Sequence, residues 1–283
     1  MHIQHSSRKI KRRSNLCRRK IKQSQICRRR KFNNRKHRNL QKLTNKVSDT
    51  SKKFGLNINV QKTKVMVIES NDTTKMNTQV EGQTLEQVTS FKYVGGIIEN
   101  TGENDEDIQA KIAKGLQTMG RLKKLWRKNN LSTKCKLQIY KSIIVPQMTY
   151  GAETWTIKKQ DEKRLLVAEM SCLRQLLGIS RIQKIRNTTI REKIGIQENI
   201  VEKIRKKRLS WFGHVCRMEK SRWPYKALHT YTEGKRKRGR PRKKWQDNIK
   251  EDLEIINSNI IEAGRIAEDR KEWKKFLSSY CRK

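Results

Sequence analysis

The residues with the most evident chemistry form one run, Lys235-Arg236-Lys237-Arg238-Gly239-Arg240-Pro241-Arg242-Lys243-Lys244. A run of this kind attracts phosphate whatever its conformation, because it neutralises backbone charge and releases counterions. Its centre, Arg238-Gly239-Arg240-Pro241, suits a narrower target. An extended backbone there lays two arginines along an A·T minor groove, glycine permits close approach, and proline keeps the chain extended. A generic phosphate-binding or nuclear-import run is the plainer alternative. A second basic cluster, Arg205-Lys206-Lys207-Arg208, lies upstream and offers the same phosphate chemistry. Trp211, Phe212, Trp223, Tyr225, Tyr231 and Trp245 flank the basic block. Such rings stack on unpaired bases, or they are helix core, the reading we favour for Trp211 and Trp245.

Other constellations carry less. His214 and Cys216 form an H-x-C pair with His229 downstream, but zinc takes four ligands and no fourth lies at standard spacing. Asp105-Glu106-Asp107 stands where a helix begins, and carboxylates there complement the helix dipole. We find no phosphate-binding glycine loop, nucleophile elbow or Cys/His dyad. No metal site and no catalytic residue are therefore assigned.

The chain has 283 residues and a formal net charge of +42, with 34% hydrophobic residues. A charge of this size points to a polyanion, RNA and/or DNA, as partner. No apolar run approaches the ~18 residues that span a bilayer, so no membrane segment or secretory leader is expected. Six cysteines, at 17, 27, 135, 172, 216 and 281, form no CxxC pair. They suggest neither a zinc ribbon nor a disulfide framework, and a reducing compartment is the default. A nuclear location is expected, with the cytoplasm as the alternative. Residues 1–48 hold 18 basic residues and no acid, and residues 201–250 hold 18 basic and 4 acidic. Residues 49–100 and 251–283 are each balanced. The pattern implies a basic tail plus a basic face.

These groups need elements to position them. Residues 1–38 lack apolar periodicity and read as a disordered tail. Leu40, Leu43 and Val47 mark a short helix over 39–54, ended by Gly55. Leu56, Ile58 and Val60 alternate as in a strand, and Val65–Ile68 is a further apolar run. Val80 and Thr84–Val88 flank Gly82 as in a hairpin, and Phe91–Ile98 is a β-rich run broken at Gly95–Gly96. Beyond Asn104 the period changes. Ile108, Ile112, Leu116, Met119, Leu122 and Leu125 predict one amphipathic helix. Ser132 caps a second, with Leu137, Tyr140 and Ile144, which Pro146 disrupts. A third covers 160–177 with Leu166, Met170, Leu173 and Leu177 inward, ending at Gly178. A fourth covers 197–212, residues 219–241 read as irregular, and a last helical region runs from Lys243 to Phe276 with a break near Asn257–Asn259. The fold class is α+β, mainly α. Four segments follow: 1–38, 39–100, 101–200 and 201–283.

From residue 39 onward the chain resembles the C-terminal part of a non-LTR (LINE-type) retrotransposon endonuclease–reverse transcriptase. The resemblance rests on Phe54-Gly55-Leu56-Asn57-Ile58-Asn59 with Lys62-Thr63-Lys64, then Phe91-Lys92-Tyr93-Val94-Gly95. Tyr150-Gly151-Ala152-Glu153-Thr154-Trp155, Trp211-Phe212-Gly213-His214-Val215 and Gly239-Arg240-Pro241-Arg242 follow in the family's order. The resemblance implies that 39–70 is the end of a palm and Phe91–Gly95 a primer-grip hairpin. It implies a thumb over 101–200 and a basic nucleic-acid-binding segment over 201–283. The intact family enzyme uses Mg²⁺ held by a Tyr-x-Asp-Asp motif and an upstream aspartate. No such motif occurs here, and no acid precedes Asp49. We therefore expect nucleic-acid binding without polymerase activity. Lys22–Arg30, read with one permitted codon choice and shifted by one nucleotide, encodes Asn-Asn-Leu-Arg-Tyr-Ala-Asp-Asp. The basic tail then reads as an out-of-frame palm. Two alternatives stand beside this reading. One is a domesticated DNA-binding protein using Arg238–Arg242 as an AT-hook; the other is a piece of a longer active enzyme.

Overall fold

A computed structural model of the chain describes residues 34–68, 75–128, 130–230 and 242–279, with side chains from residue 39. The described residues are mainly helical with three small two-stranded sheets, as the α+β, mainly α reading expects. They form two compact units that meet in sequence at Glu103 and Asn104.

In the first unit, helix α1 (Asn34–Lys52) begins earlier than periodicity suggested. It carries Leu40 against a small core of Val65, Val67, Met76, Val80 and Leu85. Strand β1 (Lys64–Val65) pairs in parallel with β4 (Glu86–Gln87). Strands β2 (Gln79–Val80) and β3 (Gln83–Thr84) form a hairpin about Gly82. Strands β5 (Ser90–Tyr93) and β6 (Gly96–Glu99) form another about Gly95. In both turns the two central residues take positive φ: Glu81 and Gly82, then Val94 and Gly95. That backbone matches the twist of a tight hairpin. The Gln41 side chain clamps the β2 edge, donating to Gln79 O at 2.7 Å and accepting from Gln79 N–H at 2.8 Å. The strand expected over Leu56–Val60 does not form. That stretch is irregular and then a 3-10 turn (Val60–Lys62), closed when the Asn59 side chain accepts from Lys62 N–H. With no strand to turn it inward, Leu56 stays exposed.

The second unit is helical. Helix α2 (Asp105–Arg121) and the short α3 (Lys123–Trp126) replace the single helix expected to reach Leu125. Gly115, and not the exposed Leu116, faces inward. A Cβ on Gly115 would lie 2.3 Å from Met148 Cγ, so only glycine admits that methionine. Ser132 does cap α4 (Thr133–Ile139), accepting from Cys135 N–H at 3.2 Å. Pro146 does not break the run. A π-turn (Tyr140–Ile144) widens the backbone just before it, and α5 (Val145–Met148) follows with proline in its first turn. The widened π-turn absorbs the missing proline donor and the clash of its ring with the preceding turn.

Helix α6 (Lys159–Leu177) is central and ends at Gly178 in the left-handed region, φ +69°. It packs against α2, α3, α4, α7 (Asn187–Ile194) and α8 (Ile200–Cys216). Burial therefore extends beyond the expected face to Leu165, Ala168, Cys172 and Leu176. Helix α7, not expected from the apolar spacing, buries Ile190 and Ile194. Helix α9 (Trp223–His229) stands where irregular chain was expected, because Pro224 occupies its first turn. Helices α10 (Trp245–Glu254), α11 (Ile260–Glu268) and α12 (Arg270–Ser279) complete the unit. The expected break falls at Asn257, φ +57°.

Helix α8 begins where we drew the 200/201 boundary. Ile200, Val201 and Ile204 belong to a core that extends back to Ile108. Leu209 and Phe212 belong to another with Ile249, Leu253 and Trp273. One helix thus carries both cores.

Candidate nucleic-acid interface

The basic cluster on α8 is dispersed by the helix itself. Successive residues rotate ~100°, so four consecutive cations cannot share one face. Arg208 points inward. It is 1% exposed and forks onto Asp252, with Nε–Oδ2 2.7 Å and Nη2–Oδ1 3.0 Å. This corrects the expectation that Arg208 contacts phosphate: it is buried in an ion pair joining α8 to α10. Burial pushes the Asp252 carboxyl above its ordinary range, opposed chiefly by the Arg208 hydrogen bond. Arg205 lies partly buried between Glu162 (3.0 Å) and Asp252 (3.6 Å). Lys206 pairs with Glu198 at 2.6 Å. Lys207 is exposed, but its ammonium donates to Thr149 O and Oγ1 at 3.1 and 3.0 Å.

Of the downstream run, Lys235, Arg236, Lys237, Arg238, Gly239, Arg240 and Pro241 lie outside the described residues. Arg242 is exposed. Lys243 pairs with Glu251 at 2.6 Å. The Lys244 backbone N–H donates to Asp247 Oδ2 at 2.7 Å at the start of α10. Phe91, Lys92, Tyr93, Val94 and Gly95 form one arm and the turn of the β5–β6 hairpin. Phe91 and Tyr93 are half-buried, and Lys92, Val94 and Gly95 are exposed.

Several motif residues turn out to be packing nodes. Trp155 is buried and its indole N–H donates to Asp107 Oδ2 at 2.8 Å. Asp107 therefore anchors a buried ring as well as standing in the first turn of α2. Asp105 pairs with Lys158 at 3.3 Å. A Cβ on Gly213 would lie 2.1 Å from Trp273 Nε1, so glycine alone admits that ring. The Trp245 indole donates to Glu153 O at 2.8 Å, consistent with its reading as a core residue. Trp211 is half-buried beside His214, ring centroids 5.3 Å apart.

Among the described residues another exposed basic surface lies elsewhere. Residues 108–152 contain ten basic residues and no acid. Within them Arg121, Lys123, Lys124, Arg127 and Lys128 are all exposed around α3. None of these five makes an ion pair with a carboxylate among the described residues. Trp126, buried with its indole N–H on Met119 O at 2.9 Å, fixes α3 in place. Burial lowers the Lys203 ammonium below its ordinary value, and Lys141 and Lys206 add like-charge repulsion against attraction from Glu198 and Glu169. The signal that could have found the α3 surface was the absence of acid over 108–152. Averaging over 101–200 concealed it.

Comparison with known proteins bears on origin. The chain is 28% identical over 245 residues to a Caenorhabditis elegans protein whose name describes it as uncharacterized and transposon-derived. The match covers 83% of this chain and 85% of that relative. This likeness supports a transposon origin. No family model matches the chain, and no solved structure matches it. Among the described residues no three His, Cys, Asp or Glu side chains converge to hold a metal.

Proposed function

We propose that this chain is a transposon-derived nucleic-acid-binding protein, related to the reverse transcriptases of non-LTR elements but without polymerase activity. The observation that carries this reading is the acid-free stretch 108–152, with Lys123, Lys124, Arg127 and Lys128 exposed on and beside α3. Four cations on two turns of chain, anchored by Trp126, present a fixed array to phosphates instead of a diffuse cloud. The five motifs in the family's order and the likeness to a transposon-derived protein support the origin. The missing Tyr-x-Asp-Asp sequence supports the loss of catalysis, since two-metal phosphoryl transfer needs those carboxylates.

Fluorescence anisotropy with short RNA, single-stranded DNA and duplex DNA tests binding. Saturable binding that weakens steeply with salt is the expected result, and no binding at low salt would end the reading. Primer extension with Mg²⁺ should add no nucleotides; extension by the purified chain would refute the inactive assignment.

A further inference from the structure

The second unit carries a groove of about 420 Å³ between α6, α7 and the 3-10 turn Arg181–Gln183. Its volume lies within the usual range for small-molecule sites. Leu166, Val167 and Met170 supply its apolar lining. Arg174, Arg181 and Arg191 come from three different elements and line the same groove, with Ser171 and Asn187 as neutral polar groups. Three arginines from separate elements lining one groove is not the outcome of one helix displaying a basic stripe.

Two of these arginines are held in place by the fold. Arg174 Nη2 donates to Ile185 O at 2.9 Å. Arg191 Nη2 pairs with Glu169, a carboxylate 1% exposed. The other terminal nitrogen, Arg191 Nη1, is buried and has no hydrogen-bond partner among the described residues. Arg181 is exposed and makes no ion pair among the described residues.

The charges select the ligand. Three guanidiniums opposed by Glu169 leave a local balance of about two positive charges, which matches a phosphate monoester near neutral pH. Arginine forks match phosphate oxygens in pairs. The apolar side gives the organic part of such a ligand a surface that a bare ion would not use. We propose that this groove binds the 5′-phosphate of a nucleotide, either free or at the end of an oligonucleotide. The inference takes the oligonucleotide source from the proposed function, but the site itself does not depend on it.

The test uses the full-length chain and three probes. Two are the same single-stranded oligonucleotide with a 5′-phosphate or a 5′-hydroxyl; the third is adenosine 5′-monophosphate. The 5′-phosphate should raise oligonucleotide affinity by about tenfold, the scale of one charge-assisted arginine contact. Ser171→Glu places a carboxylate in the groove and should abolish that gain. Arg181→Gln, at an exposed position that folding does not use, should reduce it. Binding of the 5′-hydroxyl strand should stay the same in both variants. Adenosine monophosphate that binds, and is lost in Ser171→Glu, would assign the free nucleotide as a source even if no oligonucleotide bound and the nucleic-acid reading fell. Equal affinity for the two strands with no mononucleotide binding overturns the site. A phosphate preference that survives both substitutions overturns it as well.

Discussion

Two basic runs of similar density meet different fates in this fold. Arg205-Lys206-Lys207-Arg208 lies on a long helix packed on several sides, so rotation along the helix carries Arg208 into the interior and Arg205 into an ion-pair cluster. Lys123-Lys124 and Arg127-Lys128 lie on and beside a four-residue helix where Trp126 turns inward. There the cations stay outside. Charge in a sequence is therefore not charge on a surface. What decides is how many sides of the element are already occupied, and whether acids stand nearby.

The comparison breaks most sharply at Arg208. Arg208→Ala strips the buried Asp252 of its two short contacts, leaving only the longer one to Arg205, and should cost about 3 kcal/mol in chemical denaturation. Replacing both, Arg208→Met with Asp252→Leu, should recover most of that loss. A wild-type melting curve for Arg208→Ala would show that the pair does not hold α8 to α10. Next is Gly213→Ala, where the new methyl meets the Trp273 ring; overpacking of this kind costs about 1–3 kcal/mol. Trp155→Phe removes the donor to Asp107 and should cost about 1–3 kcal/mol, because a buried carboxylate oxygen loses its hydrogen bond. By contrast, Lys123→Gln, Lys124→Gln, Arg127→Gln and Lys128→Gln should each shift stability by less than about 0.5 kcal/mol, as exposed substitutions do.

Thiol chemistry draws the same contrast between inside and outside. Burial pushes the Cys172 thiol up to about 12 and, with less burial, the Cys216 thiol up to about 11. The thiolate is the reactive form, so at pH 8 both should resist alkylation in the native state. Cys135 is exposed and should react first of the three. Peptide mapping after brief iodoacetamide treatment reads the order, and early modification of Cys172 would contradict the packing of α6.

Much of the helical unit was legible because its signals are local. The cap at Ser132, the left-handed Gly178 and the turn at Asn257 each act within a few residues. The hairpin turn at Gly82 and the break at Gly95 were legible for the same reason. The misreadings involve context. Pro224 occupies a first turn where proline is tolerated, and Pro146 disrupts the regular α-helix only as far as a π-turn, after which the run continues. Leu56, Ile58 and Val60 alternate like a strand, but no neighbouring strand pairs with them. The burial of Arg208 depends on Asp252, 44 residues away, and no local pattern announces it. The α3 surface was readable from composition alone, at a finer window than one hundred residues.

The central claim is that the α3 surface engages phosphates while Arg208 does not. The direct measurement is the salt dependence of duplex binding for the wild-type chain and for the four-fold Lys123, Lys124, Arg127 and Lys128 to Gln variant. The slope of log affinity against log salt should fall in magnitude by roughly 3.6, about 0.9 for each of four lost phosphate contacts. An unchanged slope in a variant that melts like the wild type would contradict the account.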